Sequence, residues 1–81
     1  MNLQIRLFAA ARQLAERETL DIECPDEITV GELRRAVARA CPALDPLLPH
    51  VRFAVNAEYA AEQQVVRPSD QVACIPPVSG G

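Results

Sequence analysis

The feature that most constrains the fold is one long amphipathic helix between segments in which apolar and polar residues alternate. Thr29, followed three residues later by Glu32, forms the capping-box pattern that begins helices. Five apolar residues then recur at helical spacing and define an inner face: Val30, Leu33, Ala36, Val37 and Ala40. Pro42 predicts the end of the helix. A chain of 81 residues with one such helix must cover its apolar face with strands, which predicts an α+β domain.

Two-residue alternation predicts the strands. Three segments have apolar residues at this spacing: Leu3, Ile5 and Leu7; Leu20, Ile22 and Cys24; Val51, Phe53 and Val55. A short edge strand is expected around Tyr59 after an Asn-containing turn, and a turn at residues 68–70 precedes a last strand at residues 71–75. Residues 10–16 have helical spacing and predict a short helix between the first two strands, which should pair as a hairpin.

The resulting order of strand, strand, helix, strand, short strand and strand is that of a β-grasp, ubiquitin-like fold. This fold is a mixed sheet of four to five strands with one main helix packed on one face and the other face partly open. In this fold class the last strand lies centrally, beside the first. We therefore expect residues 1–75 to form the domain and residues 76–81 to form an extended tail that leaves from the middle of the sheet.

The last six residues, Pro76-Pro77-Val78-Ser79-Gly80-Gly81, predict a functional tail. The two prolines favour an extended path away from the domain, and the two glycines have no Cβ and can thread a narrow channel. The terminal carboxylate is ionised at neutral pH and can attack the α-phosphate of ATP. A sulfur, amine or thiol nucleophile can then displace AMP at Gly81. Nothing in the chain predicts an ATP site, so a separate activating enzyme is required.

Charge and composition exclude several classes of partner. The net charge of −3 argues against nucleic acid and anionic membranes and favours a basic protein partner. No targeting segment or membrane span is recognisable, which predicts a cytoplasmic protein. Cys24, Cys41 and Cys74 lack disulfide or zinc spacing and are expected to be buried free thiols. His50, the only histidine, is expected to be an ordinary loop residue.

No catalytic constellation is visible in the sequence. There is no Ser/His/Asp set, no glycine-rich phosphate loop and no cluster with metal-ligand spacing, so we expect no catalytic residue, no metal and no cofactor bound by this chain. The outward residues of the main helix, Arg34, Arg35 and Arg39, are expected to be solvated, the alternative being that they dock an acidic partner.

Four stretches resemble a known family. They are residues 7–12 (Leu-Phe-Ala-Ala-Ala-Arg), residues 55–59 (Val-Asn-Ala-Glu-Tyr), the Pro68-x-Asp70 turn and the ending Ile-Pro-Pro-Val-Ser-Gly-Gly. Together they make the chain similar, nearly end to end, to the small, sulfur-carrying subunit of molybdopterin synthase. One departure is Cys74 beside Ile75, where that family often has aromatic or larger apolar residues.

The resemblance implies that this chain is a non-catalytic subunit of a heterotetramer and carries the sulfur to the large subunit. Gly81 would be adenylated by an adenylyltransferase related to ubiquitin-activating enzymes, which uses the ATP. A sulfur donor such as a cysteine desulfurase or a rhodanese would then supply the sulfur of a thiocarboxylate. The tail would insert into the large subunit and donate sulfur to cyclic pyranopterin monophosphate, two transfers building the dithiolene that later holds molybdenum.

An apolar patch beside the tail is expected to anchor both partners. Phe8 and Ile75 are out of phase with the core positions of their strands and should converge on the open face of the sheet, while the placement of Tyr59 rests on the topology of the family. The alternative is that one or more of these three residues packs in the core.

Two other functions would use the same tail. A sulfur carrier of the thiamin pathway, or of another pathway, would have the same chemistry with a different acceptor, although such carriers are commonly shorter and lack the Pro-Pro-Val-Ser segment. A protein modifier conjugated to lysine amines through Gly81 would form an isopeptide bond instead of a thiocarboxylate.

Overall fold

The computed structural model describes residues 1–77 of the chain. Its strands and helices follow one another in this order: β1 (Asn2–Leu7), α1 (Ala9–Ala15), β2 (Thr19–Glu23), β3 (Ile28–Thr29), α2 (Val30–Ala40), β4 (Arg52–Val55), β5 (Glu58–Tyr59), β6 (Val65–Val66) and β7 (Val72–Ile75). Two 3-10 turns, Pro42–Leu44 and Leu48–His50, connect α2 to β4. The predicted α+β class is confirmed, with five strands in the main sheet.

The main sheet has the strand order β2-β1-β7-β4-β5. β1 and β2 pair antiparallel, as the predicted hairpin requires. β7 lies at the centre, parallel to β1 and antiparallel to β4. The predicted central position of the last strand is therefore confirmed, and the chain beyond Ile75 starts from the middle of the sheet.

The start of α2 agrees with the predicted capping box. The Thr29 hydroxyl accepts a hydrogen bond from the Glu32 N–H at 3.1 Å, and the Glu32 carboxylate accepts one from the Thr29 N–H at 3.0 Å. The bond from the Thr29 backbone favours the charged carboxylate and lowers the pKa of Glu32.

At the other end of α2, Ala40 is exposed, so its predicted inward position is wrong. Ala40 is the last helical residue, and the fully buried Leu44 of the next turn packs against α2.

A second sheet of two strands is not predicted by the sequence pattern. β3 pairs antiparallel with β6, and each strand has two residues, too few to show a two-residue period. Next to this sheet the Val30 N–H donates to the Gln64 carbonyl at 3.0 Å, and the Gly31 N–H donates to the Glu62 carbonyl at 2.9 Å. The segment before β6 thus satisfies two of the first amides of α2, which have no partner inside the helix.

The core lies between α2 and one face of the main sheet. The largest fully buried side chains are Phe53, Ile5, Leu33, Leu44, Val30, Val37, Val66 and Cys74. Complete burial of an apolar side chain of this size stabilises the fold by about 1.5–3 kcal/mol. Within residues 1–77, no helix combines the length and the apolar character needed to cross a lipid bilayer.

The burial of the cysteines, His50 and Arg34 can be compared with the predictions. Cys74 is buried, whereas Cys24 and Cys41 are half-buried, so the expectation of three buried thiols is wrong for two of them. Cys24 follows the last residue of β2 and therefore falls outside the alternating strand. His50 is exposed in its 3-10 turn. Arg34 is not solvated: it is half-buried and bonded to Glu62, while Arg35 and Arg39 are exposed.

Candidate functional site

The candidate site begins where β7 ends. Pro76 is buried and Pro77 is exposed, so the first proline of the predicted tail packs on the domain. Val78, Ser79, Gly80 and Gly81 lie outside the described residues. Insertion of the tail and modification of Gly81 therefore stay predictions.

The open face of the sheet has a groove beside β7, which we call the open-face groove. It has a volume of about 430 Å³, and its lining includes Arg6, Phe8, Ala54, Tyr59, Ala73 and Ile75. Ala54 is buried but does not belong to the core cluster. It lies instead in the middle of the groove, because β4 pairs it with Ala73 on one side and with Tyr59 on the other.

The structure places all three residues of the predicted patch in this groove. Phe8 is 39% exposed and Tyr59 is 58% exposed, so neither is a core residue. Ile75 is half-buried at the end of β7. Phe8 follows the last residue of β1 and Ile75 ends the strand parallel to it, which brings these two side chains to the same end of the sheet. The binding of a partner by these residues stays a prediction.

Two arginines of the site are not predicted from the sequence. The Arg6 guanidinium carbon lies 5.2 Å from the centroid of the Phe8 ring, and that of Arg52 lies 4.2 Å from the centroid of Tyr59. Both distances are within the range of cation–π attraction. The signal is present in the alternation, because Arg6 and Arg52 are exposed polar positions directly beside core positions of their strands.

The turn between β4 and β5 positions Tyr59. Its two central residues, Asn56 and Ala57, have φ values of 52° and 70°, as a two-residue hairpin turn of type I′ requires. The Asn56 side chain accepts a hydrogen bond from the Gln71 N–H and donates one to Asp70, both at 2.9 Å. These bonds fix the β4–β5 hairpin beside the start of β7, and so hold one side of the groove in place.

The described lining of the groove offers apolar, amide and guanidinium groups. Its described lining residues include no carboxylate, histidine or thiol. Cys74 is fully buried in the core, and burial raises its pKa to about 11, so it is a neutral thiol at physiological pH. Across residues 1–77 there is no group of three or more His, Cys, Asp or Glu residues that could hold a metal ion.

The chain is similar over its whole length to known proteins. The model of the ThiS family matches residues 5–81. The molybdopterin synthase sulfur carrier subunit of Chlamydomonas reinhardtii is 34% identical over 83 residues, with 100% of both chains covered. Small archaeal modifier protein 1 of Haloferax volcanii is 31% identical over 87 residues, which cover 98% of this chain and 100% of the relative.

Solved structures agree on the fold. The crystal structure of the Haloferax volcanii modifier superposes with a TM-score of 0.85 at 29% identity and covers 100% of both chains. A chain from the complex of subunits 1 and 2 of molybdopterin-converting factor from Helicobacter pylori has a TM-score of 0.69 at 23% identity, again over 100% of both chains, and shows the shared fold. With a β-grasp fold and a family match from residue 5 to residue 81, the chain belongs to the ThiS family.

Proposed function

We propose that this chain is the sulfur carrier subunit of a molybdopterin synthase. The observation that supports the proposal most directly is the position of β7. This strand lies at the centre of the sheet, beside an exposed apolar groove, and continues into the Pro-Pro-Val-Ser-Gly-Gly ending. The 34% identity to a sulfur carrier subunit over the full length supports the same function.

The proposed chemistry takes place at the carboxylate of Gly81. A carboxylate oxygen attacks the α-phosphorus of ATP in the active site of an adenylyltransferase, and pyrophosphate leaves. The outer sulfur of a persulfide, carried by a donor such as a cysteine desulfurase or a rhodanese, then displaces AMP and forms an acyl disulfide on Gly81. A second thiol attacks the donor's sulfur, which releases the thiocarboxylate of Gly81 and leaves the donor in a disulfide with that thiol. In the large subunit this sulfur is transferred to cyclic pyranopterin monophosphate.

The domain itself binds the partner and positions the tail. Phe8, Tyr59 and Ile75 give a partner an apolar surface next to the root of the tail, which fixes how far Gly81 reaches into the partner's active site. Gly80 has no Cβ, so the end of the tail remains narrow enough to enter the active sites of two different enzymes.

The test is the intact mass of the chain after incubation with ATP, the adenylyltransferase and a sulfur source. We expect the mass change of one oxygen replaced by sulfur, located at Gly81 by fragmentation. A chain that ends at Gly80 is the matched control and should accept no sulfur. It should fold normally, since the described core cluster is built from residues between Leu3 and Cys74. Full molybdopterin formation by this shortened chain with the large subunit would contradict the proposal.

The cysteines need a separate control because each could in principle accept sulfur. Cys24→Ser and Cys41→Ser are suitable at half-buried positions, whereas Cys74→Ala avoids an unsatisfied hydroxyl in the core. The triple variant should still form the thiocarboxylate. If the folded triple variant accepts no sulfur, the carrier atom is a cysteine and not the Gly81 carbonyl carbon.

A second candidate is a protein modifier, which the 31% identity to small archaeal modifier protein 1 favours. Its product would be an isopeptide bond between Gly81 and a lysine amine. A cell extract supplemented with ATP and the tagged chain would then show a ladder of conjugates. A sulfur carrier of the thiamin type would instead form the thiocarboxylate but fail to support molybdopterin formation with the large subunit.

A further inference from the structure

The open-face groove has a local charge opposite to that of the whole chain. The net charge of −3 alone favours a basic partner, yet the charged residue among the described residues that line this groove is Arg6. Arg52 lies beside the groove, over the ring of its lining residue Tyr59. Three other arginines, Arg12, Arg34 and Arg67, lie within 4.0 Å of a carboxylate. Among residues 1–77, no carboxylate lies that close to Arg6 or Arg52.

The two arginines lie on the strands that flank β7. Arg6 of β1 is paired with Ala73, and Arg52 of β4 is paired with Ile75. The strand that continues into the tail therefore runs between two cationic side chains. A partner that binds the tail must come close to both.

The aromatic neighbours prepare both guanidinium groups for binding. Arg6 lies over Phe8 and Arg52 lies over Tyr59, so each side chain has already lost part of its rotamer freedom in the free protein. A guanidinium over an aromatic ring still has N–H groups at its edge, and these match the two oxygens of a carboxylate. The cost of ordering a long side chain on binding is thereby reduced.

We propose that Arg6 and Arg52 each bind a carboxylate of the protein surface that docks on the open-face groove, on either side of an apolar side chain that enters the groove. The proposal rests on the proposed function, in which that surface belongs to the large subunit, and it adds the chemistry that the partner must present. Because both arginines are exposed, their charge increases the association rate at low salt.

The experiment compares two double charge reversals in the full chain. One is Arg6→Glu with Arg52→Glu, and the matched control is Arg35→Glu with Arg39→Glu, which changes the net charge equally on the exposed side of α2. Binding to the large subunit of the same organism is measured by surface plasmon resonance at several salt concentrations. Thermal melts and the milder pair Arg6→Gln with Arg52→Gln separate a binding effect from a folding effect.

We expect the groove pair to lower the affinity about tenfold or more at low salt and the control pair about twofold or less. The wild-type affinity should fall as salt rises, whereas that of the groove pair should rise, because salt screens the repulsion between the new glutamates and the carboxylates of the partner. The affinity of the neutral pair, Arg6→Gln with Arg52→Gln, should change little with salt. Restoration of binding to the Arg6→Glu chain by a carboxylate-to-arginine change in the large subunit would support the pairing directly.

The possible failures are distinguishable. If the wild type binds the large subunit and both double variants bind with the same affinity and salt dependence, the carboxylate contacts are wrong while the proposed function stands. If the wild type forms no complex with the large subunit, the proposed function fails and this inference fails with it. A wild-type dimer that dissociates in the groove pair would assign the surface to a second copy of the chain and overturn the inference.

Discussion

Arg34 of α2 and Glu62 of the segment between β5 and β6 form a two-point ion pair, with Nε to Oε1 at 2.9 Å and Nη2 to Oε2 at 2.7 Å. The remaining Nη1 group donates to the carbonyls of Leu48 and Val51, and the guanidinium carbon lies 5.1 Å from the centroid of the buried Phe53 ring. One side chain thus joins the helix to the two segments that flank the β4–β5 hairpin.

Arg34→Lys should be destabilising although the charge is kept. A lysine ammonium cannot bind both Glu62 oxygens and the carbonyls at once, so at least one half-buried acceptor loses its donor. We expect the free energy of unfolding in urea to fall by about 1–2 kcal/mol. The adjacent exposed residue offers the control, Arg35→Lys, which should change it by about 0.5 kcal/mol or less. Equal stability of the two variants would contradict this role of Arg34.

The stabilising contribution of Glu62 should be lost at acidic pH. The hydrogen bond from Arg34 is the main cause that lowers its pKa below the ordinary value. A group whose pKa is lower in the folded state stabilises fully above the ordinary glutamate pKa of about 4.3, and this contribution is lost as the pH falls through the folded pKa. Glu62→Gln should therefore cost up to about 1 kcal/mol at neutral pH, the range of exposed ion pairs, and progressively less in acid.

The control for this pH dependence is the same substitution in an Arg34→Ala background. Without the arginine, Glu62→Gln should have an effect that no longer decreases on acidification. Urea unfolding at a series of pH values measures both cases. A decrease of equal size in both backgrounds would mean that another group, such as Arg35, and not Arg34 lowers the pKa of Glu62.

Ala57→Gly should stabilise the protein. Ala57 has a φ of 70°, a left-handed conformation that costs a residue with a Cβ about 1–2 kcal/mol and costs glycine nothing. Glycine also has a larger conformational entropy in the unfolded chain, which offsets part of this relief. We therefore expect the free energy of unfolding to rise by about 0.5–1 kcal/mol. Ala61→Gly, at an exposed position without a positive φ, should instead lose about 0.5–1 kcal/mol. A loss of stability in both variants would mean that residue 57 is not strained.

The fold could be predicted because its local signals agree with one another. The alternation in β1, β2 and β4 and the capping box of Thr29 and Glu32 each specify one element and one buried face. The signals that failed were shorter or lay at a boundary. β3 and β6 have two residues each, and their pairing depends on the path of the chain before β6, which no local pattern records.

The site could be predicted in its apolar part and not in its charged part. Phe8 and Ile75 are out of phase with the core, and that was enough to place them on the open face. Arg6 and Arg52 have the same phase, but polar residues at such positions are ordinarily solvated, and their stacking on aromatic rings depends on neighbouring strands. Arg34 directly follows the core position Leu33 on the helix. A small error in the helical phase is therefore enough to predict a solvated side chain where the structure has a half-buried one bonded to Glu62.

Phe8→Ser and Tyr59→Ser should weaken binding of the large subunit without unfolding the domain. Both side chains are exposed in the free protein, at 39% and 58%, so their removal leaves no cavity in the core. An apolar anchor that becomes buried on binding typically contributes about tenfold or more to the affinity. Ile75→Ser, at a half-buried position, should affect both binding and melting temperature. Leu14→Ser is the matched control, since Leu14 is 47% exposed on α1 and does not line the groove.

Two measurements, affinity and melting temperature, separate an interface from a core at these positions. A core role would cost about 2–4 kcal/mol of stability on truncation and leave the affinity of the folded fraction unchanged. An interface role gives the opposite result for Phe8 and Tyr59, with affinity lost and the melting temperature close to that of Leu14→Ser. Binding that is unchanged in all three groove variants, together with a large loss of melting temperature, would show that the large subunit does not dock on the open-face groove.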